Sequence, residues 1–231
     1  MSATPPKRAV VGERTMALKA VPFFKSINDR ELDVVRAVAT EKTYPKNAVV
    51  LTEGEMGDSL YMIQTGKVKV FIGDEDGREI ILKILSSGDF FGEMSMIDKQ
   101  PRSASVTTIE ASTFLVLTHA AFEKCVEQAP RIGNMVMQML AQRVREADRK
   151  IGTLALMDVY GRVASTLLEL AVYQDGKLMV GEKLSQQDLA NMVGASREMV
   201  NRILKDLSDR GFISIESKAI TIVNRELPPS L

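Results

Sequence analysis

Cysteine and histidine are almost missing from this 231-residue chain, which has one of each, Cys125 and His119. A lone cysteine excludes an internal disulfide framework and fits a reducing compartment. Nor can it ligate an iron–sulfur cluster, which takes several thiolates. A lone histidine argues against metal sites built from clustered imidazoles, as in cupin-like catalysts, and leaves a haem sensor remote. His119 follows Thr118 at a strand-to-helix junction and reads as a surface or capping residue. With no nucleophile–base pair in view, no enzyme, metal, haem or iron–sulfur centre is expected. Long apolar runs are missing too. None approaches the roughly 18 residues of a membrane span, so no membrane partner is expected. The opening MSATPPKRAVVGER has no sustained apolar core and reads as a flexible tail over 1–20 rather than a secretory signal, with the cytoplasm as the expected location. An excess of either charge is also absent, with 30 basic and 30 acidic side chains. Bulk electrostatics therefore gives no support to nucleic-acid binding, and a local basic face would have to supply it.

What is present fits a globular protein of two modest domains, with 45% hydrophobic and 26% charged residues. Residues 23–40 suggest a short helix capped by Ser26 or Asn28. The runs AVVLTEG, SLYMIQTG, KVKVFIGDEDG, REIILKILSSGD, SASVTTI and STFLVLT then read as strands of an antiparallel sandwich or jelly roll. DEDG at 74–77 suggests a hairpin turn with Gly77 at positive φ. Beyond His119 the pattern becomes helical, and Arg131 to Ala155 contains no proline. There Gly133, Met137, Leu140, Val144, Ala147, Ile151 and Leu154 recur at heptad spacing. A second stripe (Ile132, Met135, Val136, Met139) covers another face. One helix with two apolar faces can pack on its own sandwich and pair with a second copy; the alternative is a helix buried in a monomer core.

DVYGRVASTLLELAV reads as a further helix, followed by a turn at Gln174-Asp175-Gly176. In SQQDLANMVGASREMVNRILKDL, Ser185 caps one short helix and Ser196 caps a second after a break at Gly194-Ala195. Met199, Val200, Ile203, Leu204 and Leu207 form the apolar face of the second. This is the helix-turn-helix pattern, with FISIE and AITIV as a wing. Arg197, Glu198 and Arg202 project off the apolar stripe. Arginine can donate twice to guanine and glutamate can accept from cytosine N4. Ser185, Ser196 and Lys205 are candidates for phosphate contacts, which position without specifying sequence. A helical hairpin with a solvated Arg/Glu face would show the same pattern.

FGEMSMIDKQPRSASV, residues 91–106, points to an anion. Gly92 lets backbone approach a ligand, and 93–97 suggest a helical turn whose free N–H groups face a phosphate. Arg102 offers a fork of donors, while Glu93 suits a hydroxyl such as a ribose 2′-OH. Taken alone, a surface salt bridge between Glu93 and Arg102 across a loop would be the better explanation of the pair. The segment resembles the phosphate-binding cassette of cyclic-nucleotide-binding domains. From about Phe23 to Asn224 the chain resembles the catabolite activator/fumarate-nitrate regulator (CRP/FNR) family, with IGTLALMDVYGRVASTLLELA and GASREMVNRILKDL especially close to the catabolite activator branch.

That resemblance implies an α+β fold: a tail over 1–20, a cyclic-nucleotide-binding β-roll over 21–130, a dimerisation helix over 131–155 and a winged helix-turn-helix over 156–231. It implies that Gly92, Glu93, Arg102 and Ser103, with Met94 between them in the cassette, hold a cyclic phosphate and ribose. Arg197, Glu198 and Arg202 would read bases of a TGTGA-like palindrome in double-stranded DNA, bound by a homodimer. RNA polymerase is a further implied partner. The loop VYQDGKLMVGEK is shorter than in the cyclic-AMP activator, however, so the polymerase contact of that loop is not carried over.

One departure bears on the ligand. Where the cyclic-AMP activators carry a Thr-Ser pair that contacts adenine, this chain has Ala147 and Asp148. Alanine offers no side-chain hydrogen bond. Aspartate only accepts, so it suits the N1–H and N2–H₂ edge of guanine better than adenine. Arg143, Arg145 and Arg149 could complement guanine O6/N7 or meet further phosphate. Cyclic di-GMP is the favoured effector, then cyclic AMP, with cyclic GMP behind. The competing reading is a constitutive DNA-binding regulator with a degenerate pocket.

Overall fold

The computed structural model describes residues 28–174, 176–180, 185–216 and 219–224. The expected tail, the alternative cap Ser26 and the turn residue Asp175 lie outside the described residues. The chain packs as two compact units, one holding the described residues to Ile72 with Lys83–Ala141, the other Gly73–Leu82 with the described residues from Gln142 onward.

In the first unit, α1 (Asp29–Val38) opens with a capping box. The Asn28 side chain accepts from Glu31 N at 2.9 Å, and Glu31 accepts from Asn28 N at 2.8 Å. Eight strands follow along the chain, of which β5 starts within Gly73–Leu82: β1 (Thr40–Tyr44), β2 (Val49–Leu51), β3 (Ser59–Thr65), β4 (Lys67–Gly73), β5 (Glu79–Ser86), β6 (Phe90–Phe91), β7 (Ser105–Thr108) and β8 (Ser112–Thr118). They form two sheets, ordered β1-β8-β3-β6 and β2-β7-β4-β5. Gly77 closes the turn before β5 with φ 77°, as expected. Three helices belong to the same stretch of chain: α2 (Glu93–Asp98), α3 (His119–Gln128) and the long α4 (Arg131–Leu156).

Why β3 and β8 read as near-continuous apolar runs is clear from the two cores. Successive strand residues point to opposite faces. Tyr61, Ile63, Phe114 and Val116 enter a core between the sheets with Leu51, Val68, Leu85, Phe91 and Val106. Leu60, Met62, Leu115 and Leu117 enter another core, with Leu32, Val35, Met96, Cys125, Ile132 and Val136 from the helices. Both faces of this sheet are covered. The stripe expected to pack at the start of the long helix does so through Ile132 and Val136.

In the second unit, α5 (Val159–Leu170) is capped by Asp158, whose side chain accepts from Gly161 N at 2.8 Å. After it come β9 (Ala171–Gln174), β10 (Lys177–Val180), α6 (Gln186–Val193), α7 (Arg197–Asp209), β11 (Ile213–Glu216) and β12 (Ala219–Ile222). The helical reading of DVYGRVASTLLELAV needs correcting at its end. Ala171 and Val172 leave the helix and pair with Val180 and Met179. The expected two-stranded wing is thereby part of a four-stranded sheet, β11-β12-β10-β9. Tyr160, Val163, Leu167, Leu189, Val193, Val200, Ile203, Leu204 and Leu207 build this unit's core.

Candidate functional site

The cassette begins where β6 ends. Gly92 has φ 81° and serves as N-cap of the short α2, which starts with Glu93. Glu93 is only 1% exposed and Arg102 only 6%. A surface salt bridge is therefore the wrong description of this pair, because neither side chain is at the surface. Arg102 is anchored through its backbone to the loop after β2: its N–H donates to Glu55 O at 2.8 Å, and its carbonyl accepts from Gly54 N at 2.9 Å.

The Arg102 guanidinium lies among backbone carbonyls. Nη1 donates to Gly92 O at 2.6 Å and to Ser95 Oγ, and Nη2 donates to Ser59 O at 3.1 Å. Arginine has five N–H donors in a rigid fork. These three bonds fix its plane, and among the described residues Nε–H and one Nη2 hydrogen take no further hydrogen bond. Burial pulls its pKa down, while nearby Tyr61, Asp58 and Glu93 oppose that shift. Two glycines make room for it. A Cβ on Gly92 would come within 2.8 Å of Nη1, and one on Gly57 would fall against Nε, Nη2 and Cζ. Ser59, Ser95 and Gly57 were missed from sequence. Of these, only Ser95 lies inside the motif; Gly57, in the loop before β3, and Ser59, its first residue, are more than forty residues from Arg102.

Met94 and Ser103 are both exposed, and the Ser103 hydroxyl lies 3.5 Å from the Met94 sulfur. So the first unit buries Glu93 and Arg102 beside the half-buried Gly92, with Met94 and Ser103 as an exposed pair.

The remaining expected ligand residues are on α4 in the second unit. Arg143 is half-buried, whereas Arg145, Ala147, Asp148 and Arg149 are exposed. Along the same helix Met137, Val144 and Ile151 are 60%, 61% and 64% exposed. Apolar side chains at seven-residue spacing are thus left open to solvent within the single chain.

The helix pair α6–α7 has the expected caps. Ser185 forms a capping box, its Oγ accepting from Asp188 N at 3.1 Å while Asp188 accepts from Ser185 N at 2.9 Å. Gly194 turns the chain with φ 63°, and Ser196 Oγ accepts from Met199 N at 3.2 Å to start α7. Val200, Ile203, Leu204 and Leu207 are buried on one face, leaving Arg197, Glu198, Arg202 and Lys205 exposed. Met199 departs from the expected apolar face, since it is exposed at the first turn. Glu198 folds back on its own N–H and on the Ser196 hydroxyl, which lowers its pKa and keeps it an ionised acceptor. The far end of α7 is tied to α5: Tyr160 Oη donates to Asp206 Oδ2 at 2.8 Å, and Arg210 Nη1 lies 3.3 Å from both groups.

Residues 41–129 match the family described as the cyclic nucleotide-binding domain, and residues 161–227 the Crp-like helix-turn-helix domain. A CRP-like cAMP-activated global transcriptional regulator of Mycobacterium tuberculosis is 39% identical over 187 residues, covering 79% of this chain and 84% of the relative. The chain belongs to the CRP/FNR family of transcriptional regulators. The cAMP-activated regulator Vfr of Pseudomonas aeruginosa is 34% identical over 84% of this chain and 94% of its own. Among solved structures, the c-di-GMP-responsive global regulator CLP of Xanthomonas campestris superimposes with a TM-score of 0.75 at 26% identity, over 85% of this chain and all of that one. This CRP/FNR member is therefore a DNA-binding regulator with a cyclic-nucleotide-binding domain. Among the described residues, no helix is long and apolar enough to cross a membrane.

Proposed function

We propose that this protein is a homodimeric regulator whose affinity for a palindromic operator is set by a cyclic nucleotide bound at Gly92, Glu93, Arg102 and Ser103, with Met94 beside them. The observation that carries this reading is the buried Arg102, its plane fixed by three protein acceptors and two of its donors left over. A preoriented, desolvated guanidinium suits a phosphate anion and loses little freedom on binding it. Glu93, at the start of the adjacent helix, takes the sugar hydroxyl.

Base selection falls to α4. Asp148 accepts from the N1–H and N2–H₂ of guanine, and Arg143 and Arg149 meet O6/N7 or a second phosphate, so cyclic di-GMP is the favoured effector. Ala147 adds no hydrogen bond and leaves space. A second reading, cyclic AMP, has support from the relatives of 34–39% identity, which are named as cAMP-activated. The exposed heptad stripe of Met137, Val144 and Ile151 supports self-pairing through α4. Arg197, Glu198 and Arg202 would read bases, and Ser185, Ser196 and Lys205 would hold phosphates. RNA polymerase is the further partner expected of such a regulator.

The effector can shift DNA affinity only by its differential affinity for two protein states. Titration calorimetry with cyclic AMP, cyclic GMP and cyclic di-GMP, paired with operator binding, tests this. One nucleotide should bind and change DNA affinity by about 5- to 150-fold. If none changes it, the protein is a constitutive regulator and gating is wrong.

A further inference from the structure

Two cations meet two helix ends inside the second unit. Arg162, on α5, donates through Nη1 to Met157 O at 3.1 Å and through Nε to Val193 O at 2.9 Å. Met157 directly follows α4, and Val193 is the last residue of α6. Lys150, about two turns before Met157 on α4, donates through Nζ to Met192 O at 2.8 Å. The last carbonyls of a helix have no partner within it and carry the negative end of its dipole. Here the carboxyl ends of α4 and α6 converge, and a guanidinium and an ammonium supply donors and positive charge together. Lys150 is half-buried; desolvation lowers its pKa, with Glu169 opposing the shift and Arg162 adding to it. A solvated lysine contributes little to stability. One drawn into this position, with its donor on a carbonyl, has a geometric consequence.

We infer that Lys150 and Arg162 are positioning residues: they set the angle at which the helix pair α6–α7 is held on the end of α4. Val193 lies immediately before the Gly194 turn into α7, so the joint grips the pair one residue from the hinge that aims the exposed arginines. In a dimer formed through α4, that angle fixes the spacing of the two reading helices, and half-site spacing must match it. The consequence for DNA rests on the proposed reading of α7; the joint itself does not.

The test uses the full-length protein in a Cys125→Ala background, with spin labels on Ala155→Cys and Asp209→Cys, and labelled protomers diluted into unlabelled ones. Pulsed electron resonance should give one narrow distance distribution for the otherwise unchanged chain. Lys150→Met and Arg162→Met keep aliphatic reach but remove the donors. Each should broaden the distribution and lower specific operator affinity about tenfold, with non-specific DNA affinity retained. Lys150→Arg, which restores a donor, should recover both. Unchanged distributions in both methionine variants overturn the joint, and broadening with full operator affinity overturns its consequence for DNA. If the parent chain binds no operator, the proposed function fails, and the distance distributions alone decide the joint.

Discussion

Arg102 and Arg202 are the same residue in opposite settings. Arg102 is buried in the first unit, and its plane is fixed by Gly92 O, Ser95 Oγ and Ser59 O. Arg202 stands exposed on α7. A buried, oriented cation suits one small anion of fixed shape, because ordering and desolvation were completed when the chain folded. An exposed cation keeps its freedom until it meets a long polyanion, and its binding weakens as salt rises. The first arrangement favours selectivity for a small ligand, the second adaptable contact along DNA. The two halves of α4 repeat this contrast, with Ile132 and Val136 buried in their own unit and Val144 and Ile151 open to solvent.

The largest effect should come from the open half of α4. Val144→Glu with Ile151→Glu removes two apolar contacts worth about 1.5–3 kcal/mol each and brings like charges together. Sedimentation equilibrium should show dimer dissociation favoured by about a hundredfold or more. The comparison predicts little change in melting of the first unit, whose core takes up the other half of the helix. If the double variant stays as dimeric as the parent, the exposed stripe is not the seam.

Next comes Arg102→Ala, which tests the buried setting. Nucleotide affinity should fall about a hundredfold, near 3 kcal/mol for loss of a buried charged contact, by calorimetry. The same change leaves Gly92 O, Ser59 O and Ser95 Oγ without their donor, at about 1–3 kcal/mol for a buried group, so the first unit should also melt earlier. Operator affinity without nucleotide should be unaffected. Arg102→Lys keeps the charge but not the fork, and should fall between.

Arg202→Ala should cost less, about 1–3 kcal/mol of operator affinity, with relaxed preference at one base pair and no loss of stability. A change in melting temperature would show that the exposed setting has been misread.

The smallest effect concerns Glu198. Its folded pKa is depressed, first by its own backbone N–H and then by Ser196. Its contribution to the start of α7 is therefore present above the ordinary glutamate value of about 4.3 and lost as pH falls through the lower folded value. Amide exchange at Met199 and Val200 should speed up as pH falls through that window, after correction for intrinsic rates, and Glu198→Gln should abolish the added dependence.

Much of the architecture was legible locally. The caps at Asn28, Ser185 and Ser196, the turns at Gly77 and Gly194 and the buried face of α7 all depend on residues within four positions of one another. Four strands were not legible, among them β10, whose residues read as part of the loop VYQDGKLMVGEK. β1, TEKTY, is polar and largely exposed, and β6 has only two residues. β9 hides in an apolar continuation of α5 and becomes a strand by pairing with β10, which pairs in turn with β12. No local pattern reports such distant pairing.

The cassette divides the same way. Its motif showed a carboxylate and a guanidinium nine residues apart, with the anion reading resting on the family resemblance, and α4 carried its heptads in plain view. Spacing alone determined the helix pair with its turn at Gly194, and composition alone the scarcity of cysteine and histidine. Tertiary structure decided that Glu93 and Arg102 are buried, that Gly57 and Ser59 help hold the guanidinium, and that Lys150 and Arg162 join two helix ends. The physical reason is reach: caps, turns and amphipathic stripes are set by neighbours along the chain, whereas burial and carbonyl contacts depend on which distant segments the fold brings into hydrogen-bonding range.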